Sequence, residues 1–242
     1  LNAVSLEATA GIVNRQSNGG DVTATVENAP VMVELNAGAD PDASEASVVR
    51  VQNNAIESLA IGNAVLNAVT ATAQGSFENA DPGPAVINED LPATSGETTV
   101  TADYAILNRQ VNAGTEDRPL EISSSVTASQ IVVTMNGNHD ATAVTVGDNR
   151  VSAAAYGNIA TNTLSLQAAG GSMPGSAIVN QQSNSFANIS ASVSGGGVQV
   201  NMNGVGPGAS VFGGPNGVSA TAVGNSAVNT MVSRSGGPGP SN

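Results

Sequence analysis

Ala60-Ile61-Gly62-Asn63-Ala64-Val65-Leu66-Asn67 returns as Ala155-Tyr156-Gly157-Asn158-Ile159-Ala160-Thr161-Asn162, and again as Ala222-Val223-Gly224-Asn225-Ser226-Ala227-Val228-Asn229. The shared pattern is Ala-x-Gly-Asn-x-x-x-Asn, with a further Asn nine positions before the first (Asn54, Asn149, Asn216). Gly-Asn inside each copy breaks any helix that could be drawn through it. A unit repeated at this length points to one supersecondary element stacked on copies of itself.

Each copy is preceded by a second motif. Ile12, Asn14, Gln16 and Asn18 recur as Ile106, Asn108, Gln110 and Asn112, and as Ile178, Asn180, Gln182 and Asn184. Between the two motifs lie short alternating runs: Val22 to Val26, Ile122 to Val126 and Ile189 to Val193, then Val31/Val33/Leu35, Ile131/Val133/Met135 and Val198/Val200/Met202. Each second run closes on Asn (Asn36, Asn136, Asn203). Gly lies nearby, a combination that accepts left-handed backbone and reads as a turn. The chain therefore divides into repeat 1 (1–73), a Pro-rich acidic connector (74–99), repeat 2 (100–170), repeat 3 (171–233) and a Gly/Pro tail (234–242).

Period two fits these segments. It predicts Leu59, Ile61, Asn63, Val65, Asn67, Val69 and Ala71 on one face, with the small residues Ala60, Gly62 and Ala64 on the other. An Asn on an apolar face is costly unless its amide is paired. Strands stacked about 4.8 Å apart remove the cost, because identical amides bond to the copies above and below. The predicted ladder residues are Asn14, Gln16, Asn18, Asn63, Asn67, Asn108, Gln110, Asn112, Asn158, Asn162, Asn180, Gln182, Asn184, Asn225 and Asn229. The expected fold is an all-β solenoid of three imperfect repeats. Six strand candidates per repeat suggest two three-sided coils each, or a rod on the order of 30 Å long. A tandem of small β-sandwiches is the alternative, since it also alternates and turns at short intervals.

Composition limits the chemistry. There is no Cys and no Trp, with two Tyr and three Phe, so the interior must be thin and aliphatic. All six basic residues are Arg and the net charge is −13, which opposes binding to nucleic acid. No run is apolar for long enough to span a membrane. His139 is the single histidine and sits in a polar turn whose counterparts lack it, so the sequence reads as non-enzymatic. No cofactor is expected. Asp40, Asp42 and Glu45 form the one weak calcium candidate, against the plainer reading of a solvated loop.

The blocks Gly11–Asn18 and 60–74 resemble the strand-turn-strand units of the curli class of secreted amyloid subunits. The Asn-x-Gln-x-Asn and Ala-x-Gly-Asn blocks, set between diverse connectors, look closer to holdfast anchor proteins of stalked alphaproteobacteria. Fap fimbrial amyloid is a further relative in style. This resemblance implies an extracellular or cell-surface bacterial protein, a fibre subunit or anchor for attachment or biofilm matrix. Its implied partners are copies of itself, exopolysaccharide and a curli-type outer-membrane secretion channel. Assembly is expected head-to-tail, the apolar segment 1–10 adding to the open strand 225–233 of another copy. A monomeric solenoid adhesin that binds carbohydrate through its loops is the alternative.

Overall fold

The computed structural model describes residues 4–7, 10–36, 48–77, 98–137, 142–203 and 208–236. Among them every regular element is a β-strand. Repeat 1 carries β1 (Val4–Glu7), β2 (Ala10–Asn18), β3 (Val22–Glu27), β4 (Val31–Asn36), β5 (Val48–Gln52) and β6 (Ala55–Ala73). Repeat 2 carries β7 (Thr98–Thr101), β8 (Tyr104–Ala113), β9 (Leu120–Thr127), β10 (Gln130–Asn136), β11 (Ala143–Gly147) and β12 (Asn149–Ala168). Repeat 3 carries β13 (Ser176–Ser185), β14 (Ala187–Ser194), β15 (Gly197–Asn203), β16 (Ser210–Gly213) and β17 (Asn216–Ser235).

The strands stack by repeat. Five parallel sheets run β2-β8-β13, β3-β9-β14, β4-β10-β15, β5-β11-β16 and β6-β12-β17, always with repeat 2 in the middle, and β1 pairs with β7. The architecture is thus a β-solenoid. Its coil count differs from expectation: each repeat is one layer, not two. Asn63 meets Asn158, 95 residues on, and Asn108 meets Asn180, 72 residues on, while no described strand pairs within its own repeat. Short alternating strands look alike whether a coil has three sides or five, so the count was not fixed by pattern. Three layers span about 10 Å between the first and third strands, a flat stack instead of a 30 Å rod.

Each layer is a flattened loop. The long β6 forms one wall, and β2 and β3 together form the wall facing it: Gln16 donates to the Ala64 carbonyl and Ser58 to the Ala24 carbonyl. At one end, β3, β4, β5 and the start of β6 enclose an aliphatic core whose middle layer is Val126, Ile131, Val133, Met135, Val144, Val146 and Val151. At the other, Ile106, Leu164, Leu166 and Ala168 pack under Phe77, whose ring meets Tyr104 edge-on at 5.5 Å. Residues 74–77, the first of the stretch read as a surface connector, therefore end in a packed aromatic, and β7 begins inside its last two residues. Walls this close leave little space for large rings, in keeping with the aliphatic composition.

The alternation along β6 and its partners changes phase at Gly-Asn. Ile56, Ser58 and Ala60 are buried, then Asn63 and Asn67, while Leu59 is 56% exposed. The expected single face from Leu59 through Ala71 is corrected: Leu59 and Ile61 lie on the outside, and the inward set starts again at Asn63. The cause is visible in the middle layer, where Gly157 and Asn158 are both buried and the pairing register skips Gly157. The strands step out of alternation at the same glycine and keep equal residue counts on either side, so the kink is shared by the stack, and Gly tolerates the close backbone approach there. A Cβ on Gly157 would lie 2.4 Å from the Gly224 carbonyl oxygen and 2.7 Å from Asn184 Oδ1.

The corner between β3 and β4, and its counterparts between β9 and β10 and between β14 and β15, needs left-handed backbone. Asn28 (φ 50°), Ala128 (φ 49°) and Gly195 (φ 63°) occupy it. Asn and Gly adopt this conformation readily; Ala does so at a cost. Asn53 (φ 59°) and Asp148 (φ 55°) make the corner before β6 and β12.

Candidate functional site

The most organised polar feature among the described residues is the stack of amides between the two walls. Three columns run along β6-β12-β17. Asn63 Nδ2 donates to Asn158 Oδ1 at 2.9 Å, and Asn158 Nδ2 to Asn225 Oδ1 at 2.7 Å. Asn67 donates to Asn162 and Asn162 to Asn229, both at 2.8 Å. Asn54 donates to Asn149 at 2.9 Å and Asn149 to Asn216 at 3.0 Å. That last column is the Asn set nine positions upstream, which pattern alone did not assign to the ladder. Identical residues are in register because the sheets are parallel and unslipped.

The facing wall supplies partners. Gln182 Nε2 donates to Gln110 Oε1 at 2.8 Å, and Gln110 Nε2 to Gln16 Oε1 at 2.7 Å. Asn112 donates to Asn184 at 2.7 Å, and Asn108 to Asn180 at 2.6 Å. The walls are stitched across the interior: Asn63 donates to Asn112 at 3.0 Å, and Asn158 to Asn184 at 3.0 Å. Asn112 also donates to Asn158 at 3.1 Å. Asn158 thus makes bonds to Asn63, Asn112, Asn184, Asn225 and the Ser183 carbonyl while fully buried.

Backbone carbonyls fix which way each amide points. A carbonyl accepts only from an NH₂ group. Gln16, Gln110 and Gln182 donate Nε2 to the carbonyls of Ala64, Ile159 and Ser226. Asn112 and Asn184 donate Nδ2 to those of Gly157 and Gly224, the residues just before Asn158 and Asn225. The columns are therefore polar. The Asn63, Asn67 and Asn54 columns donate from repeat 1 toward repeat 3, and the Gln column donates from repeat 3 toward repeat 1.

The first layer joins the network incompletely. Asn18 turns its Oδ1 to the Gly20 backbone N–H at 3.1 Å. Asn18 Nδ2 and the Oδ1 atoms of Asn14 and Asn108 have no hydrogen-bond partner. A further ladder on the fourth strands, Asn203 to Asn136 at 3.0 Å and Asn136 to Asn36 at 3.1 Å, is exposed. Ser124 donates to Ser58 at 2.9 Å in the buried interior.

Outside the stack, Arg15 and Arg109 stand side by side in register. Burial, and then the charge of Arg15, hold Arg109 below the ordinary guanidinium pKa. Arg150 pairs with Glu57 on the outer face of β6-β12, an exposed ion pair of small energetic weight. A shallow hollow at the corners joining β2 to β3 and β8 to β9 is lined by Gly19, Gly20, Asp21, Thr115 and Arg118. The calcium candidates Asp40, Asp42 and Glu45, and His139, lie outside the described residues. Among the described residues no group of three His, Cys, Asp or Glu side chains could hold a metal, and no helix is long and apolar enough to cross a membrane.

Amides near neutral pH neither titrate nor attack. They donate and accept hydrogen bonds in a fixed geometry. No family model matches the chain, and neither do any curated protein or solved structure.

Proposed function

We propose that the chain is a non-enzymatic extracellular structural protein, a fibre subunit or anchor for surface attachment or biofilm matrix, that adds to copies of itself head-to-tail. The observation that carries this reading is the strand order at the two ends of the stack. Among the described residues, the repeat 1 strand and the repeat 3 strand of five sheets are edges with no strand paired on the outer side. The middle layer contrasts with the last: Leu164 is fully buried, while Met231, its partner in register, is 53% exposed. Copies that continued the parallel register would bury such residues. The segment expected to make the joint is already in use, since Val4–Glu7 pairs with Thr98–Thr101, so the joint is assigned to the sheet ends themselves. A bacterial cell-surface location, export through a curli-type channel and contact with exopolysaccharide belong to the same proposal and rest on the motif resemblance.

Negative-stain microscopy of the purified protein tests it. Thin unbranched filaments whose fibre diffraction shows the inter-strand spacing of about 4.8 Å along the axis are expected. Discrete particles at high concentration would overturn the fibre reading. The hollow lined by Asp21, Thr115 and Arg118 favours the second reading in that case, a monomeric adhesin gripping carbohydrate at its corner loops.

A further inference from the structure

We infer that the two ends of the stack are chemically complementary to each other and not to themselves, so that the partner of the repeat 3 face is the repeat 1 face of a second copy, joined in one polarity. The inference rests on the fibre reading above and specifies its joint.

The amide columns give the first reason. At the repeat 3 face, Asn225 and Asn229 accept from Asn158 and Asn162, and their own Nδ2 groups donate to nothing within the described residues. At the repeat 1 face, Asn63 and Asn67 donate inward, and their Oδ1 atoms accept from nothing within the described residues. The Gln column has the opposite sense. Gln182 Oε1 is free to accept at the repeat 3 end, while Gln16 Nε2 keeps one hydrogen beyond its bond to Ala64. Donors face acceptors in all three columns only when a repeat 3 face meets a repeat 1 face. A joint between two repeat 3 faces sets NH₂ against NH₂ in the Asn columns, and one between two repeat 1 faces sets Oδ1 against Oδ1. Either joint also reverses the strand direction, which destroys the parallel register.

Charge gives the second, independent reason. All nineteen Asp and Glu residues precede Asn149, and residues 171–242 contain none. Repeat 1 carries Glu7, Asp21, Glu27, Glu34 and Glu57 on described residues, all but Asp21 within its strands. Two repeat 1 faces would oppose carboxylate to carboxylate, which costs free energy when like charges lie directly across a strand pair. The repeat 3 face, which carries no carboxylate, meets repeat 1 with no such penalty.

The register of the joint follows from the joints inside the chain. β17 would lie on β6 of the next copy as β12 lies on β17, placing Asn225 on Asn63, Asn229 on Asn67 and Met231 on Val69. Gly224 would then face the Gly62 carbonyl of the next copy as Gly157 faces Gly224. In the single chain a Cβ on Gly224 has nothing nearer than 3.4 Å, so an alanine there fits the monomer and obstructs the joint.

The test uses full-length Gly224→Ala, with Asn229→Leu as a second variant whose altered side chain is likewise exposed. Both are checked for wild-type circular dichroism and melting before use. Gly224→Ala alone is expected to sediment as a monomer under conditions where wild type forms filaments. Added at about one part in ten, it should shorten wild-type filaments several-fold, because its intact repeat 1 face adds to a growing end and its blocked face stops the next addition. Filaments of Gly224→Ala equal to wild type, or monomers that leave wild-type filament length unchanged, would overturn the assigned joint. Stable Gly224→Ala dimers would show that like ends join and overturn the polarity. A wild-type chain that never assembles overturns the fibre reading itself, and so is distinguishable from failure of the joint.

Discussion

Replacing the motif glycine by alanine should have three different effects in three copies of the same sequence. At Gly157 the new methyl would sit 2.4 Å from the Gly224 carbonyl oxygen and 2.7 Å from Ile189 Cδ1. At Gly62 it would sit 2.5 Å from Asn112 Oδ1, 2.6 Å from Ile122 Cδ1 and 2.7 Å from the Gly157 carbonyl oxygen. A neighbour that is backbone cannot swing aside, so the walls must separate. Overpacking of this kind costs about 1–3 kcal/mol. Separation also strains the bond from Asn112 to the Gly157 carbonyl and the cross-wall amide bonds, each worth about 1 kcal/mol. Alanine returns about 0.4–1 kcal/mol by stiffening the unfolded chain. The net expectation is a loss of about 2–4 kcal/mol at Gly62 and Gly157.

At Gly224 the nearest atom is the Asn184 side-chain nitrogen at 3.4 Å, an ordinary contact. Only the unfolded-state term survives there, and Gly224→Ala should lie within about 0.5–1 kcal/mol of wild type, on the stabilising side. The assay is equilibrium urea unfolding followed by circular dichroism, at a concentration where all three proteins sediment as monomers. A common midpoint for the three variants would mean that the glycine serves backbone conformation alone. A large loss at Gly224→Ala would mean that a further layer covers repeat 3 within one chain. Either result refutes the layered packing.

Other substitutions probe the remaining parts of the stack. Asn158→Leu should cost about 3–5 kcal/mol in urea unfolding, since it leaves several buried amides unpaired, whereas Asn229→Leu, which gives up the bond from Asn162, should cost about 1 kcal/mol; equal costs would dissolve the distinction between middle and end layers. Ala128→Gly should stabilise by about 0.5–1 kcal/mol because it relieves a left-handed alanine, and an unchanged or lowered midpoint would show that the corner is unstrained. Phe77→Ala should cost about 2–4 kcal/mol by opening a cavity over Ile106 and Leu164, and a loss under about 1 kcal/mol would make residue 77 part of a loosely attached loop. Arg109→Gln should gain a few tenths of a kcal/mol at low salt by removing the in-register repulsion from Arg15, a gain that fades as salt is raised; a gain independent of salt would point to burial instead of charge.

The ladder residues were legible because amides and glycines recur at matched offsets, and offsets are what a parallel in-register stack preserves. Asn63, Asn158 and Asn225 could be aligned by eye for that reason. The number of layers was not legible. β4 and β5 look like two sides of a second coil, and only their pairing with β10 and β11 places them in the same turn as β2 and β3. Alternation failed at Gly62 because a kink shared by all three strands moves one residue out of step without altering composition on either side. The corner at Ala128 was hidden for a different reason: the left-handed position is announced by Asn28 and Gly195 in the flanking repeats, and Ala breaks the signal in the middle one. Phe77 sat in a stretch whose Pro and acidic residues spoke for a loop, and one aromatic is too little pattern to contradict them.

Exposure along the stack bears on the proposed assembly. Val151 in the middle layer is fully buried, while Val218, its partner in the last, is 54% exposed. Leu164 and Met231 differ in the same way. The inward face of repeat 3 therefore has the composition of an interior and the environment of a surface. In a stacked-repeat protein stability is close to a sum of layer terms and interface terms, and three layers contain only two interfaces. Each copy added end to end supplies a third interface for every three layers, so the interface term per chain rises by about half in a long filament. An extended apolar edge of this kind is normally blunted by charge, proline or a covering segment in a protein selected to stay monomeric. In β17 the only charged residue is Arg234, one residue from the strand's end, and the strand contains no proline. Among the described residues the repeat 3 edge carries little such protection, which supports the proposed end-to-end assembly.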